Sequence, residues 1–219
     1  MEKCKELFKK YNNVNDVYYS FRQNKTLDIN PKYYWNGTPS AIYCYDLNRT
    51  KLHQSTFRSL KNNGYVCFFK IKKCKYLDLG KYTKEQYEHD LDILKKLYQN
   101  ILTIEFEEKV YDTINNSRNI YSSKIWEITK RLSKKLIKPT LDNNGDELHD
   151  YYKKWREIFK DELGYKYVED PGFGIIYNMS EPEQIAIFDK DIIEILEFCE
   201  YDKTLFESKI ISFANYLLS

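Results

Sequence analysis

Apolar residues open the chain at helical spacing. Cys4, Leu7, Phe8 and Tyr11 fall on one face and predict a short amphipathic helix over residues 2–11. The period then shortens, and Asp16–Phe21, Ser40–Tyr45 and Gly64–Ile71 read as strands. Between the last two, Leu52–Leu60 reads as a short helix stopped by Asn62-Asn63-Gly64. From about 82 to 163 the helical period returns. Thr83 is placed to cap a helix whose buried stripe is Tyr87, Leu91, Leu94 and Leu97. Ile120–Leu136 gives a second helix through Ile125, Ile128, Leu132 and Leu136. Pro139 and Asp142-Asn-Asn-Gly145 interrupt with turn chemistry, and Glu147–Leu163 forms a third helix closed by Gly164. These charged helices are expected to be a solvated layer over a sheet. Strands resume at Tyr165–Val168, Gly174–Tyr177, Gln184–Phe188 and Ile193–Phe198, and a last helix covers about Thr204–Leu218. Strands at both ends around a helical middle predict one α+β domain over residues 1–219, with a sheet that joins the two halves of the chain.

Composition narrows the class of protein more than its activity. With 42% apolar and 31% charged residues the chain is too apolar for a disordered one. Its 35 basic and 33 acidic side chains leave a net charge of +2, so overall charge gives no pull toward nucleic acid or an anionic membrane. The basic stretch Lys130–Lys138 reads as one helix face. The 21 Tyr and 12 Phe accompany abundant Lys, Asn and Ile, a bias that reads as an AT-rich genome before it reads as a tyrosine-lined surface. Five scattered cysteines without a Cys-x-x-Cys, and three dispersed histidines, argue against a zinc site and against a disulfide framework. No apolar signal region opens the chain and no run approaches the length of a membrane span, so the expected location is a reducing cytoplasm.

Several short segments, taken in order, carry a resemblance. Tyr18-Tyr-Ser-Phe-Arg22, the Ile29-Asn-Pro31 turn and Thr38-Pro-Ser-Ala-Ile-Tyr-Cys-Tyr45 form a close series. Later come Leu163-Gly-Tyr165, Asp170-Pro-Gly172 and Gly174-Ile-Ile-Tyr-Asn-Met-Ser-Glu-Pro-Glu-Gln-Ile-Ala-Ile-Phe188. Together, over about 16–47 and 163–197, they resemble the opening and closing segments of the ADP-ribosyltransferase-like modules found in large polyvalent proteins of phages and mobile elements. Ala41 stands where that pattern has Gly, Asp46 where it has Pro, and Gly-Tyr-Lys-Tyr where it has Gly-Tyr-Asp-Gly. The resemblance implies a split sheet built from N- and C-terminal strands, with the helical segment of about 82–163 between them. It also implies NAD as substrate, and a phage or mobile-element effector working in a bacterial cytoplasm.

Glycosyl transfer from NAD breaks the bond between ribose and a cationic nicotinamide, and positive charge passes to the ribose. A fixed carboxylate stabilises that charge, an aromatic ring can stack on nicotinamide, and Arg or hydroxyl groups can hold the phosphates. On the resembling segments Glu181 and Glu183 are the available carboxylates, with Glu181 the preferred one, and Gln184 is the candidate for ribose positioning. Tyr43 is the candidate for stacking, Arg22 for the pyrophosphate and Ser20 for a ribose or amide group. Active members of the wider superfamily generally carry Glu directly before the apolar strand, where Gln184 stands. An uncharged residue there forgoes on the order of 10²–10³-fold or more in rate. Two readings therefore stand together. One is an NAD-binding transferase acting on a host macromolecule; the other is a catalytically inactive module of the same fold that binds a nucleotide or a host protein. A third, an RNA-binding or nuclease toxin using Lys, Arg and Tyr, would show salt-dependent RNA binding. Dinucleotide-fold, P-loop and Gly-x-Ser-x-Gly fingerprints are absent.

Overall fold

The structure, a computed structural model, describes residues 2–11, 14–29, 38–48, 64–114, 118–137, 140–141, 147–148, 151–176 and 183–201. It is an α+β fold around a seven-stranded sheet. The strands are β1 (Val17–Arg22), β2 (Ile42–Asp46), β3 (Tyr65–Ile71), β4 (Tyr76–Asp78), β7 (Tyr167–Asp170), β8 (Gln184–Ile187) and β9 (Ile193–Glu200). A separate small pair, β5 (Thr140–Leu141) and β6 (Glu147–Leu148), flanks the Asp142–Gly145 turn, which itself lies outside the described residues. In the large sheet the order is β4-β7-β8-β2-β1-β3-β9. Every pairing is antiparallel except β4 with β7. Strands from the two ends of the chain thus alternate across one sheet, and β2 pairs with β8 at its centre.

Side chains alternate between two faces of this sheet, as the strand period requires. On one face Val17, Tyr19, Phe21, Val66 and Phe68 pack under helix α1 (Glu2–Tyr11), which offers Cys4, Leu7, Phe8 and Tyr11. That is the face the opening periodicity predicts. On the same side, Ala186 and Val168 pack under the helical middle. The opposite face carries Tyr18, Ile42, Cys44, Cys67, Phe69, Tyr167, Ile185 and Ile187, with Leu27 and Ile192 against them.

The helical middle consists of α2 (Lys84–Leu97), α3 (Ile104–Tyr111), α4 (Ile120–Leu136) and α5 (Tyr151–Glu157), the last continuing as a π-helical turn over Ile158–Glu162. Thr83 caps α2 in a full capping box with Gln86. Asn119 caps α4 with its carbonyl oxygen, while its amide donates to Leu79 O and Tyr82 O at 3.2 and 3.0 Å. One residue therefore starts the helix and fixes it to the chain leaving β4. At the centre Trp155, fully buried, donates to Thr129 Oγ1 at 2.9 Å and packs on Trp126. The helices have a common core against the sheet, so they are more than a solvated outer layer.

Several expectations are corrected. Leu97 is 56% exposed, because α2 ends there; the inward stripe is Tyr87, Asp90, Leu91 and Leu94. Asp90 reaches its buried place by accepting hydrogen bonds from the Tyr82 and Tyr165 hydroxyls at 2.7 and 2.8 Å. The third helix starts at Tyr151 rather than Glu147, because Glu147 and Leu148 pair as a strand. Strand β4 was not anticipated. Gly174–Ile176 is a bend instead of a strand: the N–H groups of Ile175 and Ile176 bind the Asp170 carboxylate and so never reach a ladder. Cys4 and Cys199 form a disulfide, with Cα atoms 5.5 Å apart over a sequence separation of 195. The expectation drawn from their scatter thus fails at this pair, because spacing along the chain does not report that α1 lies against β9. The expected helices at Leu52–Leu60 and Thr204–Leu218 lie outside the described residues. No described helix is long and apolar enough to cross a membrane.

Candidate functional site

Four strands end or begin at one edge of the sheet with an acidic residue. Asp46 closes β2, Asp78 closes β4, Glu169 and Asp170 close β7, and Glu183 precedes β8. The ladder register makes them neighbours. Asp78 is opposite Glu169 across the parallel pair, and Asp170 is opposite Gln184. Together with Gly80, Lys81, Pro171, Phe173, Gln184 and Ile185 they line a cleft of about 320 Å³.

The walls are held by backbone geometry. Asp170, 3% exposed, accepts from Phe173 N at 2.7 Å through one oxygen, and from Ile175 N and Ile176 N at 2.7 and 2.9 Å through the other. One carboxylate thereby folds Asp170-Pro-Gly-Phe-Gly-Ile-Ile176 into a compact wall, with Gly172 and Gly174 at φ of 85° and 73°. Asp78 does the same for the other wall, accepting from Gly80 N and Lys81 N, and Lys81 pairs with it at 3.1 Å. Gly80 is pressed against this loop: a Cβ there would come within 2.7 Å of Pro171 Cγ. Asp170 and Asp78 are therefore committed to structure.

Asp46, which accepts from Asn48 N at 2.8 Å, Glu169 and Glu183 add their charges to the same lining. Burial pushes the Tyr18 hydroxyl well above its ordinary range, and the charges of Glu169, Asp46 and Asp16 push it further. Cys44 is raised first by burial and then by Glu169 and Asp46, with Arg22 opposing. Negative potential thus extends from the cleft onto the neighbouring sheet face. Among the described residues no group of three or more His, Cys, Asp or Glu is placed to hold a metal ion.

The residues singled out in the sequence are distributed over this geometry as follows. Gln184 opens β8, is 5% exposed and lines the cleft. Glu181 lies outside the described residues. Ser20 is buried on β1 and donates to Tyr43 O at 2.8 Å, so those two meet across the β1–β2 pair. Tyr43 is half-buried against the helical core and donates its hydroxyl to Pro39 O; its ring is away from the cleft, whose aromatic lining is Phe173. Arg22 donates from Nε to Thr26 O at 3.2 Å and from Nη2 to Asp28 O, shaping the loop after β1. Register places Gln184 level with Tyr45 and Tyr19, three residues or about 10 Å along the strand from Arg22. Strand alternation puts Ser20 and Arg22 on the face of Tyr18, opposite Tyr43. Ser20 and Tyr43 come together, Gln184 joins the cleft, and Arg22 stands apart from it.

Asp46, Asp78 and Glu169 were not picked out as cleft residues in the sequence, whereas Glu183 was one of the two carboxylates offered there. The signal available was an acidic residue at the same end of successive strand segments, which gains meaning only once strand order is known. No protein-family model matches the chain, and comparison with curated proteins and with solved structures found no match.

Proposed function

We propose that the chain is an ADP-ribosyltransferase-like domain that binds NAD at the mouth of β8 and transfers ADP-ribose to a host macromolecule. The observation that carries this reading is the central β2–β8 pairing. It sets the two resembling segments side by side, in a sheet shared by both ends of the chain, with carboxylates at its mouth. In the reaction the ribose–nicotinamide bond breaks and its electron pair leaves with neutral nicotinamide. The positive charge left on the ribose needs a fixed negative partner in a site poor in water. Glu183 is the described carboxylate at the start of β8 and takes that role beside Glu181, while the Gln184 amide holds a ribose hydroxyl. Ser20 and Arg22, by shaping β2 and the loop after β1, set the path for the phosphates.

The test follows nicotinamide release and label transfer from adenylate-labelled NAD, with and without bacterial lysate. Release should fall on the order of 10²-fold or more in Glu183→Gln or Glu181→Gln. Wild-type protein that neither releases nicotinamide nor binds NAD in calorimetry would refute the transferase reading. A second reading, a non-catalytic binding module, is favoured by one specific observation. Two N–H groups of Arg22 are already donated to the carbonyls of Thr26 and Asp28, and the cleft's negative field opposes a pyrophosphate.

A further inference from the structure

Helix α1 is held on the sheet by packing and by one covalent bond. The chain fixes its Tyr11 end, because β1 starts at Val17. The Cys4–Cys199 bridge fixes its other end to β9, which stands at the edge of the sheet. Between these points Phe8 packs edge-on to Tyr19 and Phe68, with ring centroids 5.5 and 4.8 Å apart, and the Tyr11 ring is 5.4 Å from that of Phe68. Lys3 adds an ion pair with Glu197 at 2.8 Å, exposed and therefore weak. Helix formation alone does not hold the segment: its ten residues fall below the roughly 12–15 at which an isolated helix becomes stable in water. The closed arrangement also carries a fault. Tyr19 is 1% exposed, and its hydroxyl, buried in the core that α1 closes, has no hydrogen-bond partner among the described residues.

We propose that the Cys4–Cys199 bridge is a redox latch: closed, it keeps α1 on the β1–β3 face, and its reduction by a dithiol lets α1 leave that face while the rest of the sheet and the helical middle stay folded. In the step, a thiolate of the dithiol attacks one bridge sulfur. The bond between Cys4 and Cys199 breaks, and the other sulfur leaves as a thiolate that takes a proton from water. The second thiol of the reductant then displaces the remaining cysteine from the mixed disulfide, so Cys4 and Cys199 end as thiols and the dithiol as a disulfide. Four observations favour a latch over a permanent staple. Cys4 and Cys199 are 1% and 2% exposed, so a reductant reaches them only when α1 lifts, and bridge and helix respond to each other. Cys44, Cys67 and Cys74 belong to the opposite face of the sheet, and burial pushes all three thiols up, so the bridge answers to a thiol from outside. Lifting α1 returns the Tyr19 hydroxyl to water, which opposes closure from within. Finally, Cys4 Sγ is 3.4 Å from Glu200 O, so the reduced thiol has an acceptor when α1 settles back, and the pair can close again.

The experiment is hydrogen exchange on the full chain, oxidised and after treatment with dithiothreitol, with the thiols counted by alkylation and mass spectrometry. In the reduced protein the amides of residues 2–11 should exchange about tenfold faster or more, while β2, β8 and α4 keep their protection. Tyr19→Phe removes the unpartnered hydroxyl and keeps the ring. It should slow α1 exchange in the reduced protein about fivefold, and slow reduction of the native bridge to match, a direction that damage to the fold would not produce. The Cys4→Ser, Cys199→Ser protein should exchange like the reduced wild type without any reductant. The proposal is overturned if α1 is as protected after reduction as before it, because the bridge would then be a staple only. It is equally overturned if α1 and α4 lose protection together, or if Tyr19→Phe speeds reduction of the bridge. None of these outcomes depends on NAD.

Discussion

Asp170 allows the link between wall and cleft to be tested most directly. Its carboxylate is buried and accepts three backbone N–H groups from a loop of six residues after it. Asp170→Ala leaves all three donors without that acceptor. Ile176 N is fully buried, whereas Phe173 N and Ile175 N are half-buried and regain water in part. A buried unsatisfied donor costs about 1–3 kcal/mol, and hydrogen bonds to a charged group contribute about 1.5–3 kcal/mol. The bonds share one acceptor and do not add in full, so the total expected loss is about 2–4 kcal/mol. For a chain whose stability is on the order of 5–15 kcal/mol, that is a clear shift in a urea midpoint. Asp170→Asn keeps one acceptor oxygen, turns an NH₂ toward the other donors, and should lose a smaller part. Amide exchange at residues 173, 175 and 176 should speed up ahead of exchange in β7. A loss below about 0.5 kcal/mol in Asp170→Ala, with those three amides still protected, would refute the assignment of the wall to this carboxylate.

Three further outcomes follow from the same contacts. Opening the Cys4–Cys199 bridge, by reduction or in the Cys4→Ser, Cys199→Ser protein, should lower stability by about 5 kcal/mol on the chain-entropy model for a 195-residue separation; mass spectrometry should count three alkylatable thiols in the unreduced, unfolded protein, and five would refute the bridge. Thr129→Val keeps the shape but leaves Trp155 Nε1 without its 2.9 Å partner, so a loss of about 1–3 kcal/mol should appear in denaturant unfolding. Burial works to raise the Asp189 carboxyl, but the Lys166 hydrogen bond at 2.8 Å, the Asp191 N–H and the charges of Lys166 and Lys160 outweigh it and hold the group below its ordinary value. Its folded form is thus favoured when ionised; that stability is complete above the unfolded carboxyl range near pH 4 and is lost as pH falls below it. Asp189→Asn should flatten this acid limb in a pH series of melting temperatures, and an unchanged limb would count against the pairing.

What could be read in the chain depended on how local its cause was. Helix α1, strands β1 to β3 and helices α2 and α4 declare themselves because period and cap lie within one segment: Thr83 and Asn119 sit directly before the helices they cap. Strand β4 had no such declaration. It is three residues long, and its partner β7 lies about 90 residues further on, so only the parallel pairing makes it a strand. Gly174–Ile176 shows the converse. Its composition is strand-like, but a side chain six residues back takes the donors a ladder would need. Leu97 keeps the period and still faces solvent, because the helix outlasts the surface beneath it.

The cleft illustrates the same principle at the level of chemistry. Gln184 was readable as a site residue because it stands at a strand entrance inside a resembling segment. Asp46, Asp78 and Glu169 were not, since each ends a strand separated from the others by tens of residues. Their convergence depends on strand order, β4-β7-β8-β2, which no single segment encodes. An acidic strand end is by itself ordinary, because strands finish at solvent. Four at one edge are a different matter: like charges lining one cleft repel each other, and the fold meets them with donors of its own, Lys81 and two backbone N–H groups on Asp78, three backbone N–H groups on Asp170 and Asn48 N on Asp46.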